Sequence, residues 1–334
     1  MKSVASVVLS LIFVAIVQGL AYTDVLETEW SSFRSKHEKL YEDQNEALRR
    51  KQIFKQNKEL IDTHNKRFAD GKESFEMGVN QFTDLSAKEF EEIMLSNLDT
   101  PLMQSYNTYT PPENVTLPSS FDWREKKAVT PVKFQGHCGS CWAFAAVGAL
   151  ESYQYIKTGQ LMELSEQNLI DCTRKYGNRG CHGGRPRFAL KYVQDNGGLE
   201  SESAYPYEVR DDAQCRFYEN AMSVRVLNFT MVAPTEAALA EVVANIGPVA
   251  AAVDAGNFQL YKGGVYYDPN CRRNPNHAVL VVGYGHDENH GDYWLVKNSW
   301  STHWGEDGYI RMARNRNNNC QIAAQTVYPV VEKL

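Results

Sequence analysis

The first 137 residues of this 334-residue chain hold no cysteine, although seven follow at positions 138, 141, 172, 181, 215, 271 and 320. Disulfide and thiol chemistry therefore falls entirely to the rest of the chain. No stretch reaches the roughly 18 consecutive apolar residues that a membrane-spanning helix needs. Basic tracts, phosphate-cradling loops and calcium loops are missing, so nucleic acids, nucleotides, metals and cofactors are not expected as partners. A second C-x-x-C is also missing, which argues against a zinc site.

Met1-Lys2 leads into a largely apolar run from Val4 to Val17, followed by Gly19-Leu20-Ala21. One positive charge, a short apolar core and small residues mark a secretory signal peptide with cleavage near Ala21. That route implies an oxidising compartment and a location in the lysosome or outside the cell. Residues 22 to 116 carry 12 Lys+Arg against 18 Asp+Glu, whereas residues 117 to 334 carry 22 against 23. This shift, with Pro111-Pro112 as an extended linker, predicts three segments: a signal peptide 1–21, an acidic unit 22–116 and a near-neutral unit 117–334. In the acidic unit Glu46, Arg50, Phe54, Asn57, Ile61 and Asn65 recur at steps of three and four, which keeps them on one face of a helix.

Six cysteines can pair in an oxidising compartment and one is left over, a candidate reactive thiol that the count does not single out. The run Gln135-Gly-His-Cys138-Gly-Ser-Cys141-Trp142 is more specific. The residues after it are apolar almost all round, which predicts a buried helix. Ser140 fits an N-cap, which seats Cys141 in the first turn, where the helix dipole favours an anion. A thiolate is the reactive form of cysteine, so Cys141 reads as a nucleophile. A lone C-x-x-C also fits a redox pair, or one end of a disulfide beside a buried thiol.

Downstream, Asn276-His277 opens a β-branched run ending at Gly285, the pattern of a buried strand. A second strand-like run ends in Asn298-Ser-Trp300. His277 stands at the mouth of a core strand, where a rigid element can aim it. His286, His290 and His303 lie among polar or glycine-rich neighbours and read as surface residues. Further helices are expected at 141–157, 165–171 and 185–196, with strands at 224–230, 248–254, 278–284, 292–297 and 308–313.

With these residues the chain resembles the papain family of cysteine proteases, in its cathepsin L-like branch. His277 and Asn298 follow Cys141 by 136 and 157 residues, in the family's order. The resemblance implies an α+β papain-like fold of two lobes, one helical and one β-barrel-like, behind a mainly helical inhibitory propeptide. The Glu46-to-Asn65 pattern and Gly78-x-Asn80-x-Phe82-x-Asp84 match that propeptide, which is implied to run through the cleft against the direction of substrate. It also implies a monomeric endopeptidase made as a zymogen, with protein and peptide substrates and with cystatin-like inhibitors as further partners. Cys141 and His277 are implied to rest as thiolate and imidazolium and to form an acyl-enzyme. Asn298 would hold the ring, Trp300 would shield that bond, and Gln135 with the Cys141 N–H would donate to the oxyanion. The implied disulfides are Cys138 with Cys181, Cys172 with Cys215, and Cys271 with Cys320.

Substrate is implied to bind along Gly183-Gly184, with Asn276 and Trp300 alongside. Arg185, Pro186, Ala252, Pro275, Ala278 and Gln325 are implied to line the pocket for the side chain two places before the scissile bond. Arg185 at the rim and Gln325 at the far end depart from the family's apolar lining and predict weaker preference for large aromatics. Phe134, His137, Ala145 and Ser301 are further departures; Ser301 needs attention if its position requires positive φ. Asn114 and Asn228 head glycosylation sequons. Carboxylates paired in the zymogen, Asp84 and Glu46 first, are expected to make propeptide release faster in acid. Two alternatives stay open: a catalytically silent binding relative, and a thiol–disulfide oxidoreductase using Cys138 and Cys141.

Overall fold

A computed structural model describes residues 25–96, 107–112, 115–271 and 274–332. The segment expected to be a signal peptide, and Asn114, lie outside the described residues.

Residues 25–36 form helix α1, followed by α2 (Gln44–Ala69), β1 (Phe75–Met77) and α3 (Ala87–Met94). Asp43 caps α2 by accepting from the N–H groups of Asn45 and Glu46. A reciprocal Ser86–Glu89 capping box starts α3. Leu26, Trp30, Phe33 and Phe54 bury a small aromatic core of their own. The polar members of the periodic set on α2 each have a partner. Asn57 donates to the carbonyls of Thr83 and Leu85 at 2.8 and 2.9 Å, and Asn65 exchanges two hydrogen bonds with the Met77 backbone. The helix face is thus a template that shapes residues 77–85.

The remaining chain combines helices α4 (Cys141–Thr158), α5 (Glu166–Cys172), α6 (Pro186–Asp195) and α7 (Glu236–Asn245) with a large sheet. After two short strands, β2 (Thr108–Tyr109) and β3 (Phe121–Asp122), a separate two-stranded antiparallel sheet pairs β4 (Leu199–Glu200) with β5 (Met222–Val224). The main strands are β6 (Val226–Val232), β7 (Val249–Val253), β8 (Tyr261–Tyr266), β9 (His277–Asp287), β10 (Gly291–Lys297), β11 (Tyr309–Ala313) and β12 (Thr326–Val331). Their order is β1-β8-β11-β10-β9-β7-β12-β6-β2, with β3 added on β9. The path is open, so the expected barrel-like lobe is a sheet that does not close among the described residues. One end strand, β1, comes from the N-terminal unit and pairs antiparallel with β8. A Cβ at Gly264, where φ is +92°, would sit 2.8 Å from Phe75 Cα, so only glycine admits this added strand.

Two separate lobe cores were expected, yet the buried side chains form one continuous cluster from Leu164 and Leu190 through Trp142 and Leu150 to Leu280, Trp294 and Trp300. The cause is α4: its first 14 residues are all buried, so it serves the helices on one side and β9 on the other. Its one carboxylate, Glu151, meets Lys133 Nζ at 2.8 Å and accepts from the Thr130 hydroxyl; Lys133 also pairs with Glu166 at 2.8 Å. Lys297 Nζ donates to Thr130 at 3.0 Å, one residue before Asn298. The three predicted cystines are formed, Cys138–Cys181, Cys172–Cys215 and Cys271–Cys320. Asn228 lies half-buried on β6, opposite Val330, rather than in a turn.

Removing one member of a buried ion pair leaves the other uncompensated. Glu151→Ala is therefore expected to lower the unfolding free energy by about 3–5 kcal/mol in urea denaturation; a loss under about 1 kcal/mol would show that this cluster does not hold the lobes together.

Candidate active site

Cys141 is the first residue of α4 and the one free cysteine among the described residues. Ser140 precedes the helix but makes no side-chain cap; its hydroxyl instead meets Tyr207 Oη at 2.9 Å. Because Cys138 is bonded to Cys181, the two cysteines of the C-x-x-C cannot act as a dithiol, and the oxidoreductase reading falls. His277 opens β9, and its Nε2 lies 2.8 Å from Asn298 Oδ1. Trp300 is fully buried with its ring 4.6 Å from the His277 ring, which walls that hydrogen bond from water. Phe82 and Phe90 of the N-terminal unit pack edge-on against Trp300 at 5.8 and 5.2 Å.

The N-terminal unit covers this group directly. Gln135 Nε2 donates to Met94 O at 3.2 Å and to Cys138 O at 3.0 Å, while its Oε1 accepts from Ser299 Oγ at 2.7 Å. Ser96 N donates to Asn276 O at 2.7 Å, and Ser96 Oγ lies 3.5 Å from the Cys141 sulfur. Further along, Gln81 Nε2 donates to Trp300 O at 2.6 Å. Gln259 donates to Phe82 O and Leu85 O while its own carbonyl accepts from Asn80. Residues 80–96 thus lie across the site, held at both ends by side-chain amides.

Burial decides the charge state beneath that cover. Cys141 and His277 are both 0% exposed. Burial pushes the thiol up, with the Ser96 hydroxyl and the Ala278 and Trp142 main chain only partly offsetting it. Burial also pushes the imidazole down to about 4, against the opposing hydrogen bond from Asn298. Both shifts favour the neutral forms under the cover, and His277 Nδ1 is buried with no hydrogen-bond partner among the described residues.

Of the expected substrate-binding residues, Arg185, Pro186, Ala252 and Gln325 come together around one small pocket. Arg185 is buried rather than at a rim, and its guanidinium donates to Gln325 Oε1. Pro275 and Ala278 are not on that wall: Ala278 pairs with Ala252 between β9 and β7, and Pro275 is half-buried on the approach to β9. Gly183 and Gly184 are buried. A Cβ at Gly184 would come within 2.7 Å of Trp142, so the loop lies tight against the residue after Cys141. Ser301 has φ +66°, the left-handed conformation its position raised as a question. His137 is exposed.

Residues 117–330 match the family model of papain family cysteine proteases, and residues 30–90 match that of the cathepsin propeptide inhibitor domain. The chain belongs to the papain family of cysteine proteases. It is 47% identical to cathepsin L1 of Drosophila melanogaster over 96% of this chain and 90% of that one. It is 43% identical to human cathepsin L2 over 97% and 99%. The structure of digestive procathepsin L2 from the larval midgut of Tenebrio molitor superposes with a TM-score of 0.86 at 41% identity, covering 91% of this chain and 99% of that one. The protein is a cysteine-type peptidase with an inhibitory propeptide domain.

Sequence reading missed Ser96, Gln259 and the Lys133–Glu151–Glu166–Lys297 cluster. Only Glu151 carried a signal, as a lone carboxylate in an apolar helix. Iodoacetamide is expected to alkylate Cys141 at least about tenfold more slowly in the intact zymogen than after propeptide removal, since thiolate fraction and access set the rate. Equal rates would contradict the burial argument.

Proposed function

We propose that this zymogen hydrolyses peptide bonds as an endopeptidase through Cys141, with residues 22–116 as propeptide and 117–334 as mature unit. The observation that carries the reading is the constellation at the site: a free cysteine at a helix start, an imidazole aligned by Asn298, and an amide donor, Gln135, already engaged with a propeptide carbonyl. Once residues 94–96 leave, water reaches both groups, the thiol falls and the imidazole rises, and the ion pair forms. Cys141 then attacks the scissile carbonyl, His277 protonates the leaving amine and later activates water. Asn298 keeps the ring oriented, and Gln135 with the Cys141 N–H stabilises the oxyanion in place of Met94 O. Gly183-Gly184, Asn276 and Trp300 border the peptide, and entry into the secretory pathway places the enzyme in the lysosome or outside the cell.

Acid promotes this release through histidine more than through carboxylates. Glu46 is held near 2 by Arg49 and Arg50, and Glu89 is also held near 2, where hydrogen bonds from Ser86 and Arg49 outweigh the upward push of burial. A depressed carboxylate stabilises the folded form above its free value and loses that stabilisation as pH falls through the depressed one. These two therefore hold down to strong acid, and their partners lie within the propeptide, as do the Lys39 and Tyr41 partners of Asp84. His37 differs. It is pushed down to about 4 by burial and by Lys36, His303 and Lys39, with Asp84 opposing, and its ring meets mature-unit His303 at 5.9 Å. Neutral His37 and His277 stabilise the covered state above about 6.5, and that contribution is lost as pH falls toward 4.

Epoxide labelling of acid-activated enzyme, with hydrolysis of a peptide library, tests the activity. An adduct on Cys141 with cleavage supports it; no adduct favours a silent binding relative. Gln135→Ala should lower kcat about 100- to 1,000-fold. His37→Asn should weaken the acceleration of propeptide release between pH 6.5 and 4; an unchanged pH profile would remove His37 from the trigger.

A further inference from the structure

Residues 135–140 carry the amide proposed to stabilise the oxyanion at one end and lead into Cys141 at the other. The start of this loop is anchored just after β10, where Gln135 N donates to Ser299 O at 2.9 Å. Its middle is anchored beside a disulfide, where Gly139 N donates to Cys181 O at 2.8 Å. A phenol then ties the two ends together. Tyr207 Oη donates to Gln135 O at 2.6 Å and lies 2.9 Å from Ser140 Oγ. A tyrosine hydroxyl has a single proton and a carbonyl can only accept, so the Ser140 hydroxyl is the donor to Tyr207. The chain runs from the Ser140 hydroxyl through the Tyr207 hydroxyl to the Gln135 carbonyl. Burial pushes the phenol above its ordinary value, against the opposing Ser140 hydrogen bond, and keeps the proton on it.

Tyr207 is itself held in place. Its ring packs edge-on against Phe144 of α4 at 5.0 Å, and its N–H donates to Glu202 Oε1 at 2.8 Å. Two residues on, Val209 has φ +57°, a conformation costly for a β-branched residue. Gln167 straddles it, accepting from Glu208 N at 2.9 Å and donating to Arg210 O at 2.8 Å. Val209 Cγ1 stands only 2.7 Å from where a Cβ on Gly136 would be. Residues 207–209 therefore clasp the loop by hydrogen bonds at its ends and by contact at Gly136.

We infer that Tyr207 is a positioning residue for the oxyanion site, its hydroxyl fixing the spacing between the Gln135 amide and the Cys141 N–H. The inference rests on the proposed active-site reading. The hydroxyl meets the Gln135 carbonyl and the residue before Cys141, so it acts on both oxyanion donors through the backbone. Such a pair stabilises the transition state only when both donors reach the place where negative charge develops. A small error in their spacing therefore reaches kcat and leaves ground-state binding of the peptide alone.

Tyr207→Phe keeps the ring and its contact with Phe144 and deletes only the hydroxyl. In the acid-activated enzyme, kcat on a fluorogenic peptide should fall roughly tenfold with KM within about twofold, less than the loss from deleting a donor outright. Two probes separate this from a general loosening. A peptide aldehyde adds the Cys141 sulfur across its carbonyl and leaves the resulting oxygen at the donors, so its inhibition constant should rise by about the same factor. Iodoacetamide alkylates the sulfur by displacing iodide and forms no oxyanion, so its rate should match wild type. Ser140→Ala removes the other hydroxyl and should give the same pattern with a smaller loss. An unchanged kcat in both variants overturns the inference. So does an alkylation rate that falls with kcat, which would place the effect on the thiolate instead. In a Gln135→Ala background the Tyr207→Phe loss should shrink to about threefold or less, and an undiminished loss there overturns action through Gln135. If the wild-type enzyme cleaves no peptide and Cys141 takes no epoxide, the active-site reading fails and this inference with it.

Discussion

Desolvation of Cys141 and His277 is the constraint on which the covered structure turns. Both groups sit at the ends of rigid elements, the start of α4 and the start of β9, and both are fully buried. An ion pair gains strength from a low dielectric only when its charges are well matched and hydrogen-bonded; otherwise burial favours the neutral forms. Among the described residues under 94–96, a serine hydroxyl and main-chain groups face the thiol, and the imidazole's Nδ1 has no hydrogen-bond partner. Beneath the propeptide, burial thus works against charge on both side chains. The propeptide both lies across the site and excludes solvent from the reacting groups.

The propeptide holds that position through donors and acceptors that the mature unit offers at fixed points. Gln259 grips the 80–85 turn, the Trp300 carbonyl takes the Gln81 amide, and β1 completes the sheet edge beside Gly264. The α2 face shapes the turn from the other side through Asn57 and Asn65. Asn298 is fixed in turn by its N–H donating to Gly308 O at 3.1 Å and by Ser299 N donating to its Oδ1 at 2.8 Å, and it directly follows Lys297 of the buried Lys133–Glu151–Glu166–Lys297 cluster.

Much of the architecture could be read from residue patterns because those patterns are local. The apolar run after Cys141 became α4, and the β-branched run after His277 became β9, within a residue or so of the expected bounds at their N-terminal ends. Elements with mixed signals escaped: β8 contains Gly263-Gly264, β12 contains Pro329, and α7 lacks a strong two-sided pattern. Each is stabilised by what it packs against, which no window of sequence contains.

By itself the sequence determined which side chains can do chemistry: a thiol at a helix start, a histidine opening a core strand, an asparagine before Ser-Trp, and six further cysteines in an oxidising route. Those are matters of residue type and spacing. Tertiary structure alone decided the burial of the pair, the occupation of Gln135 by a propeptide carbonyl, the openness of the sheet, and the burial of Arg185 against Gln325. All four depend on which distant groups exclude water from a given atom, and exclusion of water is a property of the packed whole.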